Sequence, residues 1–367
     1  MFRAKNSSAS VLDIGSSKIT ALCGGKNNGR LAILGQCTVQ YSGFMDGEFL
    51  DEADLAFAVQ KAISSVEAGL ASKIKKITVG VPAEFCYSIT KKVNITFAAR
   101  TKITQDVLDE AYASAVENFE EYSAINVQTI YCTLDDGIKM ISPLGQKAIT
   151  LSILVNVIYA QKKFISLFNQ MLAGQGIEAV NYIASPLATC QGFFGGVAQS
   201  VCVVDIGYLS SSVAFAKGAG LENMFSFSCG GAQVEIALMD AFALTFKEAT
   251  ELKKNLVLSL DDDGMEYYET SNLGKKRKVL TKSANAVAKD VLLELAFVVG
   301  ECLKKATYPE TAPVYLTGGG ISQIAGAKDL FAQHLGREVK FLSYEALGFN
   351  NPFHSSCVAL LLSQISS

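Results

Sequence analysis

Two stretches of the chain, VLDIGSSKITALCGG at 11–25 and VCVVDIGYLSSSVAFAKGAG at 201–220, carry one pattern. Each runs an apolar strand into Asp-Ile-Gly, bends through a serine-bearing turn and becomes apolar again. An apolar run that breaks at glycine and resumes a few residues later is a hairpin signal. Its recurrence about 190 residues further on predicts an internal duplication: two related α/β lobes, each led by a strand–turn–strand unit. The copies differ at the bend, where the first has Ser16 and Ser17 and the second has Tyr208 and Leu209.

The rest of the chain fits around these hairpins. A third strand is expected at 31–39, followed by an amphipathic helix at 51–70 with Leu55, Val59, Ile63 and Val66 on one face, and a strand at 76–81. Residues 84–159 read as a small α+β insert. Its strands fall at 88–97, 127–133, 138–141 and 148–158, around one helix that Thr104 caps. Helices are expected at 160–174 and 183–195 before the second hairpin. After it come helices at 233–244, 246–256, 284–306, 324–335 and 355–363, with strands at 314–316 and 339–342. Residues 258–279 form a polar stretch, acidic and then basic, whose GKKRK run reads as a solvated hairpin tip.

The turns suggest a ligand. Small residues at a tight turn expose backbone N–H groups that can cradle a phosphate. Gly15, Ser16 and Ser17 suit this, with Lys18 as an adjacent cation. Asp13 can hold the water shell of a Mg²⁺ ion, and Asp205 is its counterpart, expected to face it across a cleft. Gly318-Gly319-Gly320, between a strand and a helix, allows close backbone approach to an adenosine and its α-phosphate. Bulk properties exclude other classes. A net charge of −3 provides no field for nucleic acid. The nine cysteines contain no CxxC and there are two histidines, which argues for reduced core thiols in a cytosolic protein over a zinc site or disulfide framework. No apolar run reaches the roughly 20 residues of a membrane helix.

These motifs together resemble the actin/Hsp70/sugar-kinase ATPase superfamily, and within it FtsA, the actin-like bacterial cell-division family. The resemblance runs nearly end to end. SGFMDGEFLD, KKITVGVPAEF, IKMISPLGQKAITL, NYIASPLATCQGFF, VYLTGGGISQIAGAKDL and NNPFHSSCVALLL each resemble a family segment; SPLG and NNPF are the most discriminating. The resemblance implies an actin-like two-lobed ATPase fold of duplicated ribonuclease-H-like domains with an FtsA-type 1C insert. In this chain the subdomains would be 1A at 1–83 and 161–198, 1C at 84–160, 2A at 199–230 and 311–367, and 2B at 231–310. It implies ATP and Mg²⁺ as cofactors. Gly207, Ser210, Ser211, Gly230, Gly231 and Lys253 would join the nucleotide site named above, with Asp13 and Asp205 at the metal.

The resemblance also implies partners: the C-terminal tail of the tubulin-like protein FtsZ, further copies in a filament, and later division proteins through 1C. The implied location is cytoplasmic, peripheral at the inner face of the membrane at the division site. The family's amphipathic membrane helix has no counterpart after SQISS, so membrane contact is expected only through a missing or separate anchor. Three departures lower the expected activity. The second turn lacks two of the family's glycines, at Tyr208 and Leu209, and has Ser212 for an aspartate. The acidic partner expected three residues before Lys253 is Thr250. An arginine of the tail groove is replaced by Val291, leaving Lys282 and Lys289 as substitute cations and a weak tail interaction. The expected ATP turnover is weak or absent. The alternatives are a PilM-like pilus-assembly platform, which shares a 1C-type insert, and a sugar-kinase-type phosphotransferase, for which no separate carboxylate base is evident.

Overall fold

The computed structural model describes residues 8–27, 30–195, 197–259, 266–272, 275–344 and 349–365. The chain forms two compact units. One comprises Met1–Cys202, Ala214–Phe225 and Ser356–Ser367; the other comprises Val203–Val213 and Ser226–Ser355.

The duplication is visible in the sheets. The first five-stranded sheet is ordered Ala179–Ala184, Lys76–Val81, Ser8–Ile14, Lys18–Asn27, Arg30–Gln40. Its hairpin strands pair antiparallel from Ser8↔Gly25 to Ile14↔Ile19, and Lys76–Val81 joins Ser8–Ile14 in parallel. The second sheet repeats this order with Val339–Phe341, Val314–Thr317, Val197–Ile206, Ser211–Gly218 and Gly220–Phe227. In the first, three consecutive strands form a meander and two later strands extend it in parallel; in the second, the two later strands pair with each other in parallel. The central strands are buried on both faces, which explains their continuous apolar runs.

Helix Glu52–Leu70 covers the first sheet and buries Leu55, Val59, Ile63 and Val66, the stripe its spacing predicts. Asp51 caps it through the Asp54 N–H, and Ala71 ends it in a left-handed conformation. Residues 183–195, expected as one helix, divide: Ala179–Ala184 is a strand and Ser185–Phe194 is the helix, with Pro186 in its first turn. Proline is favoured there because the first helical N–H groups lack intrahelical partners.

The insert is a four-stranded antiparallel sheet ordered Cys86–Lys102, Lys147–Gln161, Tyr122–Thr133, Lys139–Met140. Helix Gln105–Ala115, capped by Thr104, packs Leu108, Ala111 and Ala115 into a core with Ile153, Val155, Val157 and Tyr159.

A contact that the sequence does not announce ties the insert to the second hairpin. The turn Gly218-Ala219-Gly220 seats on the insert sheet, where Ala219 N–H donates to Thr129 O at 3.0 Å, and on helix Ser185–Phe194, whose Gln191 Nε2 donates to Ala219 O at 2.8 Å. Fully buried Asn156 accepts from Leu221 N–H at 3.1 Å and donates from Nδ2 to Ser88 Oγ and Ile89 O. Gly218 has φ +61°, and a Cβ there would overlap Ile130 O. Only glycine meets both conditions at little cost.

In the other unit, helices Ala232–Phe242 and Phe246–Asn255 pack on each other, and Thr281–Lys305 packs on the first of them. The second helix begins with a capping box: the Thr245 side chain accepts from Glu248 N–H while the Glu248 carboxylate accepts from Thr245 N–H. The described parts of 258–279 include a two-stranded hairpin, Tyr267–Asn272 with Lys275–Leu280. The acidic run and the first residue of GKKRK lie outside the described residues.

Candidate functional site

The residues singled out by the sequence fall into two groups, one in each unit. Asp13, Gly15, Ser16, Ser17 and Lys18 belong to the first unit. Asp205, Gly207, Ser210, Ser211, Gly230, Gly231, Lys253, Gly318, Gly319 and Gly320 belong to the second.

In the first group, Asp13 is the next-to-last residue of strand Ser8–Ile14, just before the hairpin bend, where Gly15 N–H donates to Lys18 O at 3.0 Å. Tyr41 braces the bend, donating from its hydroxyl to Gly15 O at 2.7 Å. The Asp13 Oδ1 accepts from Ser356 Oγ at 2.8 Å. Burial among neighbouring atoms pushes the Asp13 carboxyl above its ordinary value, opposed by that hydrogen bond and by the Lys18 cation. Its charged form is therefore poorly solvated, a condition that a bound cation would relieve. A second oxygen shares the spot. A Cβ on Gly80 would sit 2.7 Å from Ser185 Oγ and 3.7 Å from Asp13 Oδ1, and Ser185 Oγ is buried with no hydrogen-bond partner. A buried orphan hydroxyl beside a desolvated carboxylate fits a hydrated cation, whose waters would satisfy both. Among the described residues no cluster of three or more His, Cys, Asp or Glu could hold a metal unaided. Gly80 and Ser185 were not flagged by the sequence; glycine inside a strand was the available signal.

The second group is a junction of three glycine-bearing segments. Gly320 N–H donates to Ile206 O at 2.8 Å, Gly231 N–H to Gly207 O at 2.9 Å and Ala232 N–H to Tyr208 O at 2.9 Å. A Cβ on Gly230 would lie 2.5 Å from Gly207 O; one on Gly231 would overlap Gly320 O, and one on Gly318 would overlap Asp205 Oδ1. Ser211 Oγ donates to Cys229 O at 2.7 Å, tying the hairpin to the same segment. The N-terminus of helix Ala232–Phe242 is thus satisfied by hairpin carbonyls, with Gly230 N–H taken by Gln233 Oε1. Gly207 N–H is also engaged, by Ser210 O. These four glycine amides hold the protein together rather than standing open to a phosphate.

Lys253 lies beside this junction, 6% exposed. Its Nζ donates to Gly231 O at 2.6 Å and pairs with Glu235 Oε1 at 3.4 Å. Burial lowers its pKa, and the Glu235 carboxylate opposes that. The acidic partner expected at position 250 therefore comes from a different helix, while Thr250 Oγ1 is buried with no hydrogen-bond partner. Tyr208 turns inward as well: its hydroxyl donates to Glu235 Oε2 at 2.7 Å, and its ring lies 5.7 Å from Lys253 Nζ. Burial and the Glu235 carboxylate both raise the phenol's pKa.

The two sheets of matching strand order, each led by a hairpin of this kind, define the class: the fold is that of the actin-like proteins. Solved structures that share it are the PilM–PilN type IV pilus biogenesis complex (TM-score 0.65, 16% identity, covering 97% of each chain), the MamK double helical filament (0.58, 13%, 97% and 98%) and MreB5 of Spiroplasma citri bound to ADP (0.56, 11%, 97% and 94%). In sequence the chain is similar to the cell division protein FtsA. Identity is 23% over 329 residues with that of Neisseria meningitidis, covering 86% of this chain and 79% of the relative. It is 21% over 367 residues with that of Bacillus subtilis, covering 95% and 82%. No protein-family profile matches the chain.

Proposed function

We propose that the chain is an FtsA-like cell-division adaptor: it binds ATP with Mg²⁺, assembles as an actin-like protein and links FtsZ to the membrane-bound division machinery. The observation that carries this reading is the similarity to three FtsA proteins over 86–95% of the chain. The insert sheet supports it as a counterpart of subdomain 1C, and the helices of the second unit as a counterpart of 2B. In the first unit, Gly15–Lys18 would cradle phosphate and Asp13 would hold the metal's water shell. ATP hydrolysis is slow or absent, because phosphoryl transfer needs charge stabilisation around the γ-phosphate and the second hairpin offers Tyr208 and Leu209 where glycines would give backbone access. Among the described residues no helix is long and apolar enough to cross a membrane.

The FtsZ tail would dock as a short helix against Ala232–Phe242, Phe246–Asn255 and Thr281–Lys305, which expose Ile236, Phe246 and Phe297. Without an arginine at position 291, apolar anchors dominate. Titrating a labelled FtsZ tail peptide at low and high salt should give micromolar-class binding with little salt dependence, because screening acts mainly on exposed charge pairs. Tight binding that collapses in salt would refute the apolar account, and no binding would refute the FtsZ link. A second reading, a pilus-assembly platform, is favoured by one observation: the PilM–PilN complex superimposes with a TM-score of 0.65. Binding of a short N-terminal peptide from a pilus-assembly partner, in place of the FtsZ tail, would establish it.

A further inference from the structure

In the second unit the turn that should hold a phosphate is already held by the protein. Gly207 N–H and the first amides of helix Ala232–Phe242 all have protein acceptors. Beyond these, the Tyr208 hydroxyl reaches back to Glu235 Oε2 at 2.7 Å, and Glu235 Oε1 in turn faces Lys253 Nζ. Lys253 Nζ closes the loop on Gly231 O at 2.6 Å, the residue whose N–H grips Gly207 O. Turn, helix Ala232–Phe242 and helix Phe246–Asn255 are therefore joined in one circuit of hydrogen bonds with an ion pair at its centre. Glu235 is 4% exposed and Lys253 6% exposed. A buried cation beside a glycine turn is a strong point for capturing an anion, and here its charge is consumed internally.

We propose that Tyr208, Glu235 and Lys253 form an internal latch that takes the place of a phosphate at the Gly207–Ser211 turn, so that any nucleotide is carried without this turn. The consequence for nucleotide rests on the reading above; the latch itself does not. Its parts have separable tasks. Tyr208 supplies the hydroxyl that ties the turn to Glu235. Glu235 bridges the tyrosine and the lysine. Lys253 fixes the carbonyl of Gly231 and with it the N-terminus of the helix. A nucleotide that drew on Lys253 would first have to break its bonds to Glu235 and Gly231 O.

The test is amide hydrogen exchange on the full chain without nucleotide, comparing wild type, Tyr208→Phe and the double variant Glu235→Gln/Lys253→Met. Tyr208→Phe removes one oxygen and keeps the ring, so the fold should survive; the double variant removes the charges together and leaves neither unpaired. Both should speed exchange in 206–211 and 230–233 on the order of tenfold, the loss expected for one hydrogen bond to a charged group, with other segments unchanged. Unchanged exchange in those segments would overturn the latch, and so would a uniform rise across the second unit, which would make Tyr208 a general core residue. In a second arm, Mg·ATP added to the wild type should protect 13–18 and leave 206–211 as it was. New protection at 206–211 would overturn the proposal. Absence of protection at both turns would refute the nucleotide reading, while the comparison without nucleotide still decides the latch.

Discussion

Gly320→Ala separates a glycine that serves the fold from one that serves a ligand. A Cβ at Gly320 would overlap Gly207 O and lie 2.7 Å from Ile206 O and 2.9 Å from Gly231 N, all backbone atoms of two other segments. No side chain is available to yield, so the backbone must. Overpacking of this kind costs about 1–3 kcal/mol. The displacement also strains two hydrogen bonds, Gly320 N–Ile206 O and Gly231 N–Gly207 O, worth about 1 kcal/mol each. The sum is about 3–5 kcal/mol, or roughly 6–20 °C in melting temperature at about 2–4 °C per kcal/mol. Scanning calorimetry without nucleotide measures it. Gly69→Ala is the control: Gly69 lies inside helix Glu52–Leu70 with nothing within 4 Å of its Cβ position, so alanine should stabilise by about 0.4–1 kcal/mol. If Gly320→Ala melted within ~1 °C of wild type and lost only a nucleotide-induced shift, the packing argument would be wrong and the glycine would belong to the ligand.

Other perturbations follow from named contacts. Asn156→Ala leaves the Leu221 N–H buried without an acceptor and should cost about 1–3 kcal/mol in chemical denaturation, with faster amide exchange at 217–221. Thr245→Ala removes one half of the capping box and should cost about 1 kcal/mol. Glu248, its other half, has a carboxyl held below 4.5 by the Thr245 backbone N–H and then its hydroxyl. The folded state therefore binds fewer protons, and this contribution is present above pH 4.5 and lost as pH falls through the lowered value; Glu248→Gln should flatten that part of the acid-denaturation curve. Glu235→Leu alone strands Lys253 in the core and should cost about 3–5 kcal/mol by equilibrium unfolding, while Glu235→Leu/Lys253→Met should recover much of it.

The features that the sequence made legible are local ones. An apolar strand, an Asp-Ile-Gly stop and a small turn lie within about fifteen residues, and the matching sheet orders bear out the duplication read from them. The cap at Thr104 and the stripe of helix Glu52–Leu70 were readable for the same reason. The helix expected at 183–195 took in the last two residues of strand Ala179–Ala184, because Ile183-Ala184 runs into Ser185 with no break. The strand Gly220–Phe227 was missed because GLENMFSF lacks regular alternation and opens on Gly220, two residues after Gly218. The pairing of Lys253 with Glu235 could not be found by looking along one helix, since its partner comes from another. The same holds for Asn156, whose hydrogen bond to Leu221 joins residues 65 positions apart. Glycine was legible as a marker of close approach, but what approaches it, ligand or backbone, is decided only by the third dimension.

The most direct test of the account is the melting temperature of the full chain with and without Mg·ATP, alongside Asp13→Ala and Lys18→Ala. A ligand that binds only the folded state stabilises it by about 2.7 kcal/mol at a hundredfold excess over its Kd. The account predicts a rise of several degrees for the wild type with millimolar Mg·ATP, reduced by removing magnesium and lost in both variants. A wild-type melting temperature unchanged at millimolar Mg·ATP would contradict it and leave the chain an actin-like scaffold that holds its shape without nucleotide.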